Sequence, residues 1–298
     1  MPTILPAQFG MVGARRAHVE RLRGYGLGRV EVVLFPPEEE AWLRDFLTGL
    51  EHGFSFHAPL FRQETYEEYP LKMAVLDPVP ERRARALAMM RRELDTAAAW
   101  GAQHLVVHLQ RNLLMDQEEA PAGWGEREGV ALGVDSVGEL LAYSRQVGVP
   151  VHLENMMGSP LLHSPEAWGA LAAQVPEARF CVDVGHAALD ARYFGFPEAE
   201  LAAALGSQVA SLHVYDNQLP AIFSYAGLRE SGLLKKYPVH AEHLGEPGWI
   251  DTLGCLRAAL AANRDALVTF EVYYDLDTDR AHTAEGLAWL QELLGRGR

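Results

Sequence analysis

The chain of 298 residues has only two cysteines, Cys181 and Cys255, and three lysines. The cysteines lie in an apolar run and a helical pattern, so buried thiols are favoured over a disulfide or a cysteine-based metal knuckle. No apolar run approaches the roughly 20 residues of a membrane-spanning helix, and membrane association is not expected. The first residues lack the basic region and long apolar stretch of a secretory signal. These absences predict a soluble, cytoplasmic protein.

Positive charge is also scarce, with 26 basic against 40 acidic residues and a net charge of −14. Nucleic-acid binding normally requires a basic face, so this balance disfavours a nucleic-acid partner. Apolar residues make up 49% of the chain, enough for a substantial core. The composition leaves the oligomeric state open, and a homo-oligomer is compatible with it.

Eight short apolar segments alternate with eight amphipathic ones. Val, Ile, Leu and Phe dominate the short segments, as expected for strands that are buried on both faces. The predicted strands are Thr3–Ala7, Arg29–Phe35, Phe54–Pro59, His104–Leu109, Pro150–Glu154, Arg179–Val184, Val209–Tyr215 and Leu267–Val272. Strict alternation with helices predicts a parallel sheet, and eight repeats predict closure into a (β/α)₈ TIM barrel forming one domain over residues 1–298. A doubly wound open sheet is the alternative.

Helix signals agree with this alternation. The segment Pro80–Trp100 has apolar residues at three- and four-residue spacing, with arginines on its other face. Ser164, followed by proline, and Asp135, followed by serine, have the character of helix starts. Gly101 and Gly148 stand where helices are expected to stop.

Three of the connections that follow predicted strands are long: Leu60–Val79, Gln110–Val134 and Asp216–Pro247. They follow strands three, four and seven. In a TIM barrel, connections of this type emerge at the carboxyl ends of the strands, where active sites are built. The functional site is therefore expected at that face.

Acids and histidines recur at the ends of the apolar strands. A lone residue of this kind is usually a helix cap or a hydrogen-bonded structural group. Together, however, they would meet at one rim of a closed barrel, where burying them is costly unless they are paired or bind a metal. Carboxylate and imidazole ligands suit Mn, Zn, Co or Mg. The residues are His57, His108, Glu154, Asp183, His186, His213, Asp216 and Glu271.

The sequence around these positions resembles a superfamily that joins xylose isomerase-like sugar isomerases and epimerases with nucleases of the endonuclease IV class (AP endonuclease family 2). The resemblance covers about residues 54 to 274. The matching pieces are His57-Ala-Pro-Leu, Val-Val-His108, Leu-Glu154-Asn-Met-Met-Gly158, Cys-Val-Asp183-Val-Gly-His186, Leu-His213-Val-Tyr-Asp216 and Phe-Glu271.

Resemblance to the epimerases implies one divalent ion held by Glu154, Asp183, His213 and Glu271. In that scheme Glu154 and Glu271 stand on opposite sides of a sugar or sugar phosphate. One carboxylate removes a proton beside a carbonyl and the other returns it, while the metal stabilises the enediolate. His186 would hold a substrate oxygen.

Resemblance to the nucleases implies two or three zinc ions. Glu154 would bridge two of them, and His57 and His108 would complete the first site. His186 would join an Asp-x-His pair on a third ion, with His243 as its histidine. Ala241 stands where that pair has aspartate, which leaves the third ion in doubt.

Other residues in the long connections are candidates for substrate contact. Arg62 and Arg111 are suited to receive a phosphate, although solvated surface charges are an equally good explanation. Trp249 could stack on a sugar ring or merely anchor its loop, and Asp216 belongs to the strand-seven motif. We therefore expect a metal-dependent sugar or sugar-phosphate isomerase or epimerase. A zinc phosphodiester hydrolase, including the cobamide-remodelling type, and a non-catalytic metal- or ligand-binding barrel are the alternatives.

Overall fold

The strands of the computed structural model form one closed parallel barrel in the order β1 to β8. The structure describes residues 6–62, 74–220, 223–231, 235–272 and 280–295. The strands are β1 (Phe9–Gly13), β2 (Arg29–Val32), β3 (Phe54–His57), β4 (Leu105–His108), β5 (Val151–Glu154), β6 (Arg179–Asp183), β7 (Val209–Val214) and β8 (Leu267–Phe270). This architecture confirms the predicted TIM barrel and excludes the open sheet.

Helices lie between the strands, as predicted. They are α1 (Arg16–Arg21), α2 (Glu40–Thr48), α3 (Pro80–Trp100), α4 (Leu113–Asp116), α5 (Glu126–Val147), α6 (Pro165–Gln174), α7 (Val184–Phe194), α8 (Glu200–Leu205), α9 (Tyr225–Ser231), α10 (Thr252–Ala262) and α11 (Arg280–Gly295). In the described part of the chain, none of them has both the length and the apolar character needed to cross a membrane.

Local signals explain several helix ends. The Ser164 hydroxyl accepts a hydrogen bond from the amide of Ala167 at 3.1 Å and caps α6. Gly101 and Gly148, at φ of 78° and 76°, end α3 and α5 in the left-handed conformation that glycine tolerates best. These three predictions are confirmed.

Two predicted boundaries are wrong. The first strand is Phe9–Gly13 rather than Thr3–Ala7, and residues 6–8 form a 3₁₀ turn before it. Residues 3–5 lie outside the described part of the chain. Two glycines weaken the β signal of this strand, but a Cβ on Gly13 would lie 2.6 Å from Val19, so close packing requires glycine there.

Helix α5 begins at Glu126, and Asp135 lies inside it. The predicted start was wrong because Gly125, the residue before the helix, has no capping side chain. Instead, the Glu128 carboxylate reaches back and accepts a hydrogen bond from the Gly125 amide at 3.0 Å.

The strand register brings the polar strand ends level with one another. His108 pairs with Glu154 across β4 and β5, and Asp183 pairs with His213 across β6 and β7. Glu271 directly follows β8. Because all the strands are parallel, these side chains lie at the carboxyl end of the barrel.

Candidate metal centre

Four side chains meet at the carboxyl end of the barrel. We call Glu154, Asp183, His213 and Glu271 the central cluster; one ligand atom from each lies within 4.8 Å of the other three. A second group, His57, His108 and Glu154, meets the same criterion and shares Glu154 with it. The structure therefore brings together the four ligands that the resemblance to the epimerases implies, and the His57, His108 and Glu154 set that the resemblance to the nucleases implies for the first zinc.

Glu154, at the end of β5, joins the two groups. Its Oε2 lies 2.8 Å from Nε2 of His57 and 3.4 Å from Nε2 of His108. Its Oε1 lies 3.3 Å from Nδ1 of His213 and 3.6 Å from Nδ1 of His186. Burial by itself would raise the pKa of Glu154, but the surrounding histidines, His213 foremost, hold it well below the ordinary value.

Asp183 is oriented by the protein. Its Oδ1 accepts hydrogen bonds from the amide of His186 and from the hydroxyl of Tyr215, both at 2.8 Å. A Cβ on Gly185 would lie 2.3 Å from the Tyr215 hydroxyl, so this approach requires glycine. The amide group of Asn155 pairs with both backbone polar groups of Asp183. Oδ1 is held by these two neutral donors, whereas Oδ2 faces a cationic group, the Lys236 ammonium at 3.4 Å, and is the oxygen directed toward the other ligands.

His213 is held by a carboxylate that the sequence analysis did not identify. Its Nε2 lies 2.7 Å from Oε1 of Glu31, a buried residue of β2. A carboxylate only accepts, so Nε2 donates and Nδ1 is directed toward Glu154 and Glu271, at 3.3 and 3.4 Å. This arrangement is typical of metal-binding histidines, whose second nitrogen donates to a carboxylate. The sequence does contain a sign of this role, because Glu31 is a lone acid between two valines in a predicted buried strand.

Lys236, in the connection after β7, was considered from the sequence only as one of several basic loop residues that could receive a phosphate, and its contact with the central cluster was not predicted. Its Nζ lies 2.7 Å from Oε2 of Glu271 and 3.4 Å from Oδ2 of Asp183. Burial lowers the pKa of Lys236, but these two carboxylates outweigh it and raise the pKa overall. The ammonium group therefore supplies positive charge at two proposed metal ligands. No periodicity marks this position, because the segment is not part of a strand.

His57 and His108 differ in the direction in which the protein shifts their pKa values. Nδ1 of His57 lies 2.9 Å from the carbonyl oxygen of Ala58, and Nε2 faces Glu154. Burial opposes protonation of His57, yet Glu154 raises its pKa overall. Burial and the neighbouring histidines lower the pKa of His108 to about 3, so it is neutral and has a nitrogen lone pair for a metal.

The donor set fits a divalent metal. Three carboxylates and one imidazole suit Mn, Zn, Co or Mg. Ligands at about 2.0 to 2.1 Å around a tetrahedral ion would stand about 3.4 Å apart. The separations of His213 Nδ1 from Glu154 and Glu271, 3.3 and 3.4 Å, match this spacing. The central cluster is therefore a candidate metal centre.

The other predicted residues lie outside the central cluster, either beside it or farther away. His186 borders the central cluster, 3.6 Å from Oδ2 of Asp183. The Arg62 side chain is exposed and donates to the carbonyl of Leu34 at 2.7 Å. Arg111 is buried, with its guanidinium engaged by three carboxylates: Asp77, Asp116 and Glu118.

The remaining predicted residues form a separate group. His243 Nδ1 lies 2.8 Å from Oδ2 of Asp216, and the Trp249 ring stacks on the imidazole at 3.5 Å. In the described part of the chain, no hydrogen bond, ion pair or ring contact joins His243 to His186. The predicted sharing of a third ion by these two histidines stays a prediction.

Comparison with solved structures finds the same fold in several proteins. A D-tagatose 3-epimerase-like protein has a TM-score of 0.62 at 17% identity, covering 96% of this chain and 99% of its own. The TTHB071 protein from Thermus thermophilus, soaked with ZnCl₂, has a TM-score of 0.59 at 23% identity, covering 98% and 99%. The 3-keto-D-glucoside 4-epimerase YcjR from E. coli has a TM-score of 0.64 at 13% identity, covering 95% and 98%.

At these low sequence identities, the structural similarity establishes the fold alone. A comparison with curated protein sequences finds no significant match. The sequence profile of one family, however, matches residues 19–293, most of the chain. The chain therefore belongs to the xylose isomerase-like TIM barrel family.

Proposed function

We propose that this protein is a divalent-metal-dependent isomerase or epimerase of sugars or sugar phosphates. The observation that carries the proposal is the convergence of Glu154, Asp183, His213 and Glu271 within 4.8 Å of one another. Two solved structures with this fold are a D-tagatose 3-epimerase-like protein and a 3-keto-D-glucoside 4-epimerase. These two proteins support a small carbohydrate as the substrate class.

The metal, when bound, would supply positive charge to the carbonyl and hydroxyl oxygens of the sugar. Asp183 and His213 would hold it, because protein hydrogen bonds already orient both side chains. Glu154 and Glu271 each present a carboxylate oxygen near His213 Nδ1. One carboxylate removes the proton from the carbon beside the carbonyl, and the other returns a proton.

His186 and Lys236 border the same space. Nδ1 of His186 lies 3.0 Å from the carbonyl oxygen of Asn155. A carbonyl only accepts, so Nδ1 donates, and Nε2 is the nitrogen left for a substrate oxygen. The Lys236 ammonium offers a further donor beside Glu271. Together they would bind and orient the hydroxyl groups of the sugar.

Hydrogen exchange into the substrate tests this proposal. The chain, loaded with Mn, Co or Zn, is incubated with ketopentoses, ketohexoses and their phosphates in D₂O. We expect NMR to show deuterium at the carbon beside the carbonyl, together with formation of the epimer or isomer. Glu271→Gln should reduce exchange by about 10³-fold or more, because general acid–base groups contribute roughly 10² to 10⁴.

Glu246→Gln is the matched control, since Glu246 is an exposed acid in the connection after β7. It should exchange at the wild-type rate. Near-wild-type exchange by Glu271→Gln would contradict the proposed proton transfer. Absence of exchange with every sugar, in a chain that binds metal at the central cluster, would favour the non-catalytic binding barrel.

A zinc phosphodiester hydrolase is the second candidate. The observation that favours it is the group of His57, His108 and Glu154. Against it, His57 Nε2 lies 2.8 Å from Glu154 Oε2, a hydrogen-bond distance shorter than the roughly 3.4 Å between two ligands of one tetrahedral zinc. Hydrolysis of bis(4-nitrophenyl) phosphate that is lost in both His57→Ala and His108→Ala would support the hydrolase and overturn our proposal.

A further inference from the structure

A second cluster of metal-ligating side chains lies outside the central cluster. We call His240, Glu242, His243 and His282 the outer histidine cluster. The first three belong to the connection after β7, where residues 241–243 form a 3₁₀ turn. His282 lies in the first turn of α11. The group therefore joins two segments that are far apart in the chain.

In this cluster, two imidazole nitrogens face the same carboxylate oxygen. Oε1 of Glu242 lies 3.5 Å from Nε2 of His282 and 3.8 Å from Nε2 of His243. These distances exceed the usual 2.7 to 3.2 Å of a hydrogen bond. They are close to the roughly 3.4 Å that separates two ligands of a tetrahedral zinc ion. The three ligand atoms all lie within 4.8 Å of one another.

His243 is already oriented as a metal ligand. Its Nδ1 donates to Oδ2 of Asp216 at 2.8 Å, which leaves Nε2 as the nitrogen facing Glu242. Trp249 stacks on the ring at 3.5 Å and an angle of 7°, which fixes its plane. Asp216 is itself held by the Thr252 hydroxyl at 2.6 Å. A carboxylate behind a histidine is the usual support of a metal ligand.

The backbone around the cluster is closely packed. A Cβ on Gly286 of α11 would lie 2.7 Å from the carbonyl oxygen of Val239, so the helix meets this connection at a distance that only glycine allows. The His282 ring stacks on His240 at 4.5 Å. The two segments that supply the ligands are therefore packed directly against each other.

We propose that Glu242, His243 and His282 bind one divalent transition-metal ion that fastens the connection after β7 to α11. Two imidazoles and one carboxylate are a ligand set that zinc uses, with its fourth position open. The same connection carries Lys236, whose ammonium reaches the central cluster. An ion here would therefore hold the segment that positions Lys236.

Zinc titration of the full chain tests the proposal. The protein is prepared without a metal-binding tag, stripped with a chelator and titrated with zinc against a chromophoric competitor. We expect His282→Gln and Glu242→Gln each to bind one zinc ion fewer per chain than the wild type. Glu285→Gln is the matched control, because Glu285 belongs to a neighbouring candidate group with His240 and His282. It should retain the wild-type stoichiometry.

Asp183→Asn separates this site from the central cluster. If both sites bind zinc, Asp183→Asn and His282→Gln each lose one ion, and the double variant loses two. If the central cluster does not bind zinc, the wild type and Asp183→Asn should each bind a single ion, and the His282 and Glu242 variants should bind none. Hydrogen exchange gives a second readout: zinc should slow amide exchange over residues 240–247 in the wild type and not in His282→Gln. Unchanged stoichiometry in both outer variants, or loss in Glu285→Gln alone, would overturn the proposal.

Discussion

Two buried aspartates on consecutive elements, Asp183 at the end of β6 and Asp190 in α7, are stabilised in opposite ways. Their exposed fractions are 0% and 5%. Burial by itself raises the pKa of both. Around Asp183, His186 and Lys236 outweigh burial and lower the pKa. Around Asp190 the described residues supply no compensating cation, and burial raises the pKa to about 7.

The partners of Asp190 are neutral donors. Its Oδ1 accepts hydrogen bonds from the Gly158 amide, at 2.8 Å, and from the Tyr225 hydroxyl. These bonds fasten the connection after β5 to α7 and α9. The comparison shows that burial selects the neutral acid unless fixed cations oppose it. In the central cluster, the neighbouring cationic groups lower the pKa values of Glu154 and Asp183, which favours their charged forms and makes their oxygens suitable for a metal.

Asp190→Asn is expected to produce the largest effect on stability. The pKa of Asp190 is about 7 in the folded chain and 3.8 in the reference state. The folded state therefore binds more protons between these values, and its stability falls as the pH rises through that window. Asparagine does not titrate, so from about pH 4.5 to 8 the variant should gain roughly 3 kcal/mol relative to the wild type.

Denaturant unfolding at both pH values measures this difference. Asp45→Asn, at an exposed position of α2, is the control and should follow the wild-type pH dependence. If Asp190→Asn and the wild type kept the same free-energy difference at both pH values, Asp190 would be ionised like Asp183 and the comparison would fail.

Glu31→Gln tests the support behind His213 and is expected to be the next largest effect. Loss of a carboxylate behind a metal-binding histidine typically weakens metal binding 10- to 100-fold. Competition titration with a chelator would measure this loss. Ser55→Ala is the control, since Ser55 contacts Glu31 at 3.4 Å without reaching His213. Affinity that changed equally in both variants would indicate general damage to the barrel interior.

Lys236→Met should have the smallest effect, and in the opposite direction. The Lys236 ammonium and a metal ion are both attracted to the carboxylates of Glu271 and Asp183. Without the ammonium group, divalent-metal affinity should therefore rise about tenfold at low salt. Lys235→Met is the neighbouring control and should leave the affinity within a few-fold. Weaker binding by Lys236→Met would mean that Lys236 orients the ligands more than it competes with the metal.

The positions of the strands in the sequence allowed much of the site to be predicted. Because parallel barrel strands bring their carboxyl ends together, Glu154, Asp183 and His213 could be expected to meet from their place in the chain. Glu271 follows β8 and joins them for the same reason. The roles of these residues in catalysis and metal binding stay predictions.

Other parts of the site could not be predicted in this way. Glu31 acts inside the barrel, through a hydrogen bond to a residue 182 positions away. Lys236 comes from a connection whose path has no periodicity. Outside the site, the start of helix α5 was also predicted wrongly, because the residue before it is a glycine and its amide is bonded by the side chain of Glu128. The contacts of Glu31 and Lys236 join residues that no local pattern relates.

The fold class, the order of the strands and the set of acids and histidines at one end of the barrel could all be predicted from the amino-acid pattern along the chain. Hydrophobic periodicity and helix-capping signals are local, and strict alternation admits few topologies. Packing in three dimensions fixes how the two oxygens of Asp183 are oriented, which carboxylate supports His213 and where the Lys236 ammonium lies. Hydrogen bonds and charge effects act over a few ångströms in space, so their partners are chosen by packing rather than by distance along the chain.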